Sequence, residues 1–481
     1  MGSLPGKANT SETFDLIIVG AGVSGINTAY RLQTEIPRAT FAVFEGRNSV
    51  GGTWDLFKYP GVRSDTDLYM YGFTWHPWPY PKAIGQGSQI KQYLETCVSE
   101  HGLDRYIRFG HKVLSMNWSS KSAQWTVTVS HDGALKEYKA RFVILGTGYY
   151  DYDTPRQTHI PGIENFKGQV AHPQFWPEKL DYSGQDVAII GSGATAVTLV
   201  PALSKKARNV TMIQRSPSYI LSVPDDDTRP AWMHPFLRVW SVLVSWFVIL
   251  VCRYYPLFAK NYLINKTLPQ LPKSLSLEPH FMPRYSPWEQ RLCWAPSGDF
   301  YKALHNPGTS IVTGAIRRVT ENAIEMDNGQ MIKADVIVPA TGLRTVFGGK
   351  IDIKVDDEKI EWGGRLIWNF SLIQDIPNMM IVMAYFNIPW TINVDIATNR
   401  FFRVLKHMQK RGARTVVPRV PKDSTMKTEP FCPLTSTYYA EVEDRMPKYG
   451  TIGPWKRKDN VPFDYVNARW GDATTGLEFS P

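Results

Sequence analysis

Two glycine runs carry the most specific chemistry in this chain, Gly20-Ala-Gly22-Val-Ser-Gly25 and Gly191-Ser-Gly193-Ala-Thr195-Ala196. Glycines at this spacing, after a strand and opening a helix, let backbone N–H groups approach a pyrophosphate and let helix pack close on strand. The two runs are succeeded by different residues. Glu45 stands twenty residues past Gly25, where a carboxylate accepts hydrogen bonds from ribose hydroxyls and repels a 2'-phosphate. The equivalent place in the second run holds Gln214-Arg215-Ser216, and Arg215 with Ser216 can neutralise and hydrogen-bond a 2'-phosphate. The second ligand is therefore expected to be NADPH. Gly51-Gly52-Thr53-Trp54, just past the acid-bearing strand, lets backbone lie against a large planar ligand and favours a flavin in the first site.

The elements that must hold these residues are legible from hydrophobic patterning. Phe14–Val19 is a short apolar run of the kind buried on both faces of a parallel sheet, and Phe41–Phe44 is a second. Gln124–Val129 alternates like a hairpin strand, turns at Asp132-Gly133, and returns through Arg141–Leu145 into Gly146-Thr147-Gly148. The plan recurs. Asp186–Ile190 leads into the second glycine run, Val210–Ile213 is the next strand, Asp327-Asn328-Gly329 marks a turn, and Asp335–Val338 leads into Ala340-Thr341-Gly342. The expected fold is α/β, with two dinucleotide-binding (Rossmann-like) three-layer domains, the second inserted in the first. Expected boundaries are 1–165 for the first part of the flavin domain, 166–334 for the NADPH domain including a mostly helical insertion at 217–290, and 335–481 for the remainder and a C-terminal tail. Two such sites imply two cofactors that exchange electrons.

Four further stretches resist this repeat. Phe166-Lys-Gly168-Gln-Val-Ala-His172-Pro-Gln-Phe-Trp176-Pro177 is dense in Pro, Gly and aromatics and reads as a packed linker or a hinge between the two units. Val239–Cys252 is fourteen residues without a charge between Arg238 and Arg253. As a helix it would run roughly 21 Å, short of the ~30 Å hydrocarbon core of a bilayer. The favoured expectation is a buried cap helix over the active site, and the other is an interfacial segment held by Arg238, Arg253 and Lys260. Near the end, Asn387–Asn393 precedes a helix-like run from Val394 to Met408, whose positive end would favour negative charge on a reduced flavin. Trp75, His76, Trp78 and Tyr80, interleaved with prolines, read as a rigid loop without chemistry.

Composition narrows the partners. Of 481 residues, 43% are hydrophobic and 20% charged, ordinary values for a globular chain long enough for two domains. A net charge of +10 suits anionic ligands or an acidic surface, but the basic residues are scattered and no nucleic-acid module is recognisable. Cys97, Cys252, Cys293 and Cys432 lie far apart, which argues against a metal site, a disulfide framework or the redox pair of a disulfide reductase. Residues 1–13 lack an apolar signal core, so the expected location is cytoplasmic, with peripheral membrane association left open.

With these residues assembled, the chain resembles the Baeyer-Villiger monooxygenases over essentially its full length, most closely the branch of thioamide-prodrug activators and long-chain-ketone oxidisers. Phe166, Gly168, His172, Trp176 and Pro177 match that family's fingerprint, whereas related heteroatom-oxidising flavin monooxygenases usually carry Tyr or Phe where Trp176 stands. The resemblance implies FAD, NADPH and O2, and insertion of one oxygen beside a ketone carbonyl to give an ester or lactone through a flavin C4a-peroxide. It also implies a side activity on sulfur and a small hydrophobic ketone or thio-compound as substrate. Oxygenation of sulfur or nitrogen as the main role is the competing enzyme reading. A degenerate binding module would have damaged glycine runs, and both are intact. By resemblance, Arg291 is the active-site arginine and Asp65 the carboxylate that orients it. Gly20, Gly22, Gly25, Glu45, Gly52, Thr53 and Trp54 are the expected FAD contacts, and Gly191, Gly193, Thr195, Arg215 and Ser216 the expected NADPH contacts. His172, Thr341, Gly342 and Asn393 complete the expected cofactor contacts, and no metal is implied. Gln290 stands where a phosphate-binding lysine is common, a departure that bears on the preference for NADPH.

Overall fold

Strand β1 (Glu12–Val19) becomes fully enclosed in its second half, where Leu16, Ile17 and Ile18 are all but inaccessible. Each such side chain contributes about 1.5–3 kcal/mol on burial. The computed structural model describes residues 11–225, 231–383, 389–421, 425–435 and 437–481. The first glycine run turns β1 into helix α1 (Val23–Glu35), and strand β2 (Phe41–Phe44) then pairs parallel to β1. Gly25 is required by packing, because a Cβ there would lie 1.8 Å from the Gly20 carbonyl oxygen. A short helix α2 (Leu68–Tyr71) precedes the antiparallel meander β3 (Lys112–Ser119), β4 (Gln124–His131) and β5 (Ala134–Leu145). Asp132 and Gly133 make its tight turn with φ of 50° and 76°. β5 returns parallel to β1, and Val19, Phe44 and Leu145 end level, which sets one carboxyl-end edge for a ligand.

The second unit repeats this. Strands β6 (Gln169–Val170), β7 (Asp186–Ile190), β8 (Asn209–Gln214), β9 (Thr309–Thr313) and β10 (Val336–Pro339) form an all-parallel sheet in the order β9-β8-β7-β10-β6. Helix α3 (Ala194–Leu203) comes directly after the second glycine run, and a small antiparallel meander between Ile316 and Lys333 echoes β3–β5. The expected boundary at 334/335 is corrected by β10. This strand pairs with β7 through Val336–Pro339, so the chain completes the second sheet before it leaves. It rejoins the first sheet with β11 (Asp352–Val355) on β3 and β12 (Met379–Ile381) on β5.

The insertion carries helices α4 (His234–Tyr254) and α5 (Pro256–Thr267). Two expectations about the apolar block, its short length and its burial as a cap, need correction. α4 has 21 residues, about 31 Å at 1.5 Å per residue, because Pro235 at its first turn starts it well before the uncharged run. Nor is it a buried cap, since only 11% of its most apolar window is buried. Farther along, helix α6 (Asp299–Leu304) leads into β9. Helix α7 (Trp390–Arg411) packs on α1 and begins four residues ahead of the expected Val394, with Gly412 at φ 68° closing it. Asn387 and Ile388, named with this segment, lie outside the described residues. Helix α8 (Val461–Trp470) packs beside α7 and α4.

Candidate active site

The two carboxyl-end edges meet at one cleft. Its walls include Gly22, Gly52, Thr53 and Trp54 from the first unit, Ala194, Thr195 and Arg291 from the second, and Asp65, Tyr149 and Trp390 between them. Residues separated by hundreds of positions in sequence converge because each glycine turn sits at the carboxyl end of parallel strands in its own sheet.

In the first unit Glu45 is buried at the end of β2 and accepts the Ala21 N–H at 2.7 Å and the Arg47 N–H at 2.9 Å. Burial raises its carboxyl above the ordinary value against those two amides. A carboxylate has further lone pairs, which vicinal ribose hydroxyls would satisfy. Gly52, at φ 54°, brings its backbone so close to Gly22 that a Cβ would stand 3.2 Å from the Gly22 Cα. Thr53 Oγ1 meets Tyr152 Oη at 3.1 Å, and Trp54 Nε1 donates to Tyr71 Oη at 2.7 Å. This set fits an adenine dinucleotide with a flat ring system.

In the second unit a Cβ on Gly193 would meet nothing within 4 Å, so the N-terminus of α3 opens onto free space. Arg215 and Ser216 are exposed just past β8, and Ser192 Oγ donates to the Ser216 carbonyl at 2.9 Å, tying that loop to the glycine turn. An anion at the helix terminus would have the guanidinium beside it. Gln214, by contrast, is buried and spends its amide on the His280 carbonyl and Thr313.

Arg291 reaches the cleft from the second unit, with Nη2 3.4 Å from Tyr149 Oη, and Tyr149 stacks on Trp390 at 5.2 Å. The buried Cys293 thiol, pushed up to about 12 chiefly by burial, feels Asp65 and Arg291 with opposite signs. Both charges are thus within electrostatic reach of one point. Pro389 and Trp390 line the cleft, so the positive end of α7 faces it.

A model of the flavin-binding monooxygenase-like proteins matches residues 14–360. The chain belongs to that family. Among its relatives, the FAD-containing monooxygenase EthA of Mycolicibacterium smegmatis is 38% identical over 470 residues, covering 96% of this chain and 95% of the relative. The probable FAD-binding monooxygenase AlmA of Acinetobacter baylyi is 39% identical over 472 residues, 95% of each. Among solved structures, the open form of cyclohexanone monooxygenase superposes with a TM-score of 0.77 over 98% of this chain and all of that one, at 20% identity. The complex of OTEMO with FAD and NADP gives 0.76 over 98% of this chain and all of that one, at 18% identity. At those identities the likeness shows the fold.

In this flavin monooxygenase the stretch from Phe166 to Pro177 is less a free hinge than a strand and a turn. Gln169 and Val170 are the edge strand of the second sheet, and a Cβ on Gly168 would lie 2.4 Å from the Asp335 carbonyl oxygen. Beyond them the chain crosses back: Gln174 Nε2 donates to the Asp151 carbonyl at 2.5 Å and Pro173 touches the cleft. His172 itself does not line the cleft. Its Nδ1 accepts the Gln174 N–H at 3.2 Å, its buried Nε2 has no partner among the described residues, and burial holds its pKa below the ordinary value.

Three other expected contacts sit behind the wall rather than on it. Thr341 bonds Thr158 Oγ1 at 2.7 Å and accepts from Arg156, Gly342 comes next at φ 110°, and only Leu343 after it reaches the cleft. Asn393 is fully buried and donates Nδ2 to the Met383 carbonyl. Sequence reasoning also missed two contacts. Arg63 of the first unit pairs with Asp299 of the second at the cleft, and nothing in a sequence relates an arginine to a carboxylate so far away. The phenol of Tyr59, pushed up to about 12 by burial, meets Thr195 across the same seam.

Proposed function

We propose that this flavin monooxygenase uses FAD and NADPH to insert one atom of O2 beside a ketone carbonyl. Ketone, O2, NADPH and a proton give ester or lactone, NADP+ and water, so one oxygen atom enters the product and the other leaves as water. The observation that carries this reading is Arg291, a cation delivered by the second unit into the cleft that the first unit's glycine cradle and Asp65 also line.

The bound flavin, once reduced, would supply the O2 activation and oxygen transfer. The residues of this chain supply the surroundings. Gly22, Gly52 and Glu45 would hold the adenine dinucleotide of FAD, with Trp54 and Tyr71 closing one side of the ring pocket. Gly193, Arg215 and Ser216 would hold NADPH through its pyrophosphate and 2'-phosphate. A guanidinium keeps its charge at every pH an enzyme meets, so Arg291 stabilises negative charge that develops beside it. A preorganised charge in a cleft shielded from water is often the largest catalytic term. Asp65 would keep that guanidinium aimed into the cleft. Tyr149 and Trp390, stacked on one another, cover the adjoining wall and exclude water.

Incubating the flavin-loaded protein with NADPH, O2 and linear, cyclic and aromatic ketones, with thioethers alongside, tests the reading by mass spectrometry of products. Esters or lactones bearing one oxygen from labelled O2 are expected. Sulfoxides from the thioethers with no ester from any ketone would replace this reading with heteroatom oxygenation.

A further inference from the structure

Helix α4 is turned inside out. Its polar side chains face the protein: Arg238 donates to the carbonyls of Tyr69, Met70 and Gly72 and to Asp395, and Ser241 donates to Asp67 at 2.9 Å. Leu237 and Cys252 are buried with them, but most of its large apolar side chains face outward. Phe236, Val239, Trp240, Leu243 and Phe247 have the spacing of one helical face, and four of the five are at least 60% exposed. Leu257 and Phe258 of α5 continue the apolar surface at 76% and 65% exposure, with Tyr254 at the end of α4 and Tyr255 between the helices. α8, in contact with α4, likewise leaves Phe463, Val466 and Trp470 exposed. Isolated exposed apolar residues need no explanation, but a continuous face on a helix whose polar side is buried does.

The charge around this face selects its partner. From Ala231 to Ser276 there is no Asp or Glu, while Arg238, Arg253, Lys260, Lys266 and Lys273 give the segment five positive charges. Lys266 and Lys273 are exposed and Arg253 half-exposed. A second copy of this chain would have to bring five like charges against five. An acidic lipid surface attracts them, and Trp240, Tyr254 and Tyr255 are of the type that settles at a bilayer interface.

The attachment of α4 decides its orientation. Arg238 anchors its first third to α2 and α7, and Arg253 pairs with Asp459 at 3.1 Å beside its last turn. Although long enough to cross a membrane, the helix is tied to the body at both ends and lies along it. We infer that the outer face of α4 and α5 docks in the plane of an anionic bilayer, with the apolar side chains in the headgroup–acyl boundary and the lysines against lipid phosphates. The inference is independent of which substrate the cleft takes, although α2, on which α4 rests, carries Tyr71 to the cleft wall.

Co-sedimentation of the flavin-loaded protein with sucrose-filled vesicles tests this. Strong pelleting is expected with vesicles of phosphatidylcholine mixed with phosphatidylglycerol, weaker pelleting with phosphatidylcholine alone, and a decline with rising salt. The double variant Trp240→Ser, Phe247→Ser should bind at least about tenfold more weakly while keeping wild-type flavin content and NADPH oxidation. Lys266→Glu with Lys273→Glu should remove the preference for the anionic vesicles. Absence of pelleting with either vesicle overturns the inference. So does sedimentation velocity showing a wild-type dimer that Trp240→Ser, Phe247→Ser converts to monomer without any vesicle binding, since the face would then join two copies.

Discussion

Arg63 and Asp299 form an ion pair across the cleft, with a second guanidinium contact at 3.3 Å and the arginine side chain only 7% exposed. The pair links the turn after the first unit's flavin-side glycines to the first residue of α6 in the second unit, and Gly61 packs against Ala202 of α3 close by. Removing one partner leaves a charge in a largely enclosed place, at a cost of about 2 kcal/mol. A double-mutant cycle of Arg63→Ala and Asp299→Ala in urea unfolding should give a coupling of about 1–3 kcal/mol. Each single variant should also slow flavin reduction by NADPH while leaving FAD content unchanged, because only the relation between the units is disturbed. A coupling near zero would show that the pair does not hold the units together.

Arg291→Ala should leave flavin reduction by NADPH measurable and lower ester formation by about 10²–10³-fold, the range seen when one preorganised donor is lost. Stopped-flow reduction and product yield separate the two effects. An unchanged ester yield would remove Arg291 from the chemistry.

Arg215→Ala should raise the apparent KM for NADPH about tenfold or more, with little change for NADH, since a charge-assisted phosphate contact is lost only with the first. Equal effects on both coenzymes would refute the 2'-phosphate assignment. The outcome also weighs Gln290, which cannot supply the second cation a lysine there would.

Four histidines, His76, His111, His172 and His280, have pKa values held below the ordinary 6.5, chiefly by burial. A depressed histidine means the unfolded chain binds more protons than the folded one, so stability rises with pH between the folded values and 6.5 and flattens above. Tm should therefore fall as pH drops below about 6.5, and His172→Gln should shallow that slope without changing Tm at about pH 8. A Tm independent of pH across this window would contradict the burial reading.

All four cysteines are buried, and burial pushes their thiols up to about 12 for Cys97, Cys293 and Cys432 and about 11 for Cys252. Few thiolates exist at neutral pH, so iodoacetamide should label the native protein slowly and the urea-unfolded chain rapidly. Rapid native labelling at Cys252 would mean that α4 detaches from the body.

The repeat was legible because parallel strands buried on both faces leave continuous apolar runs, and because a glycine turn admits few substitutes. Gly25, Gly168 and Gly191 all stand where a Cβ would collide with backbone oxygen. The error at β10 has a related cause: a strand's sequence shows that it is buried, not which of two sheets buries it. Val336–Pro339 would suit either.

Local chemistry written in the chain therefore determined the two strand–glycine–helix turns, the coenzyme expected at each, and the family to which the chain belongs. Tertiary structure alone decided which distant residues share the cleft, as with Arg63 and Asp299, and which side of an apolar helix faces out. The sequence shows an apolar block between Arg238 and Arg253, with Ser241 and Ser245 within it, but not which side of the helix turns inward. Only the carbonyls of Tyr69, Met70 and Gly72, brought up by another part of the chain, make the polar face the inner one.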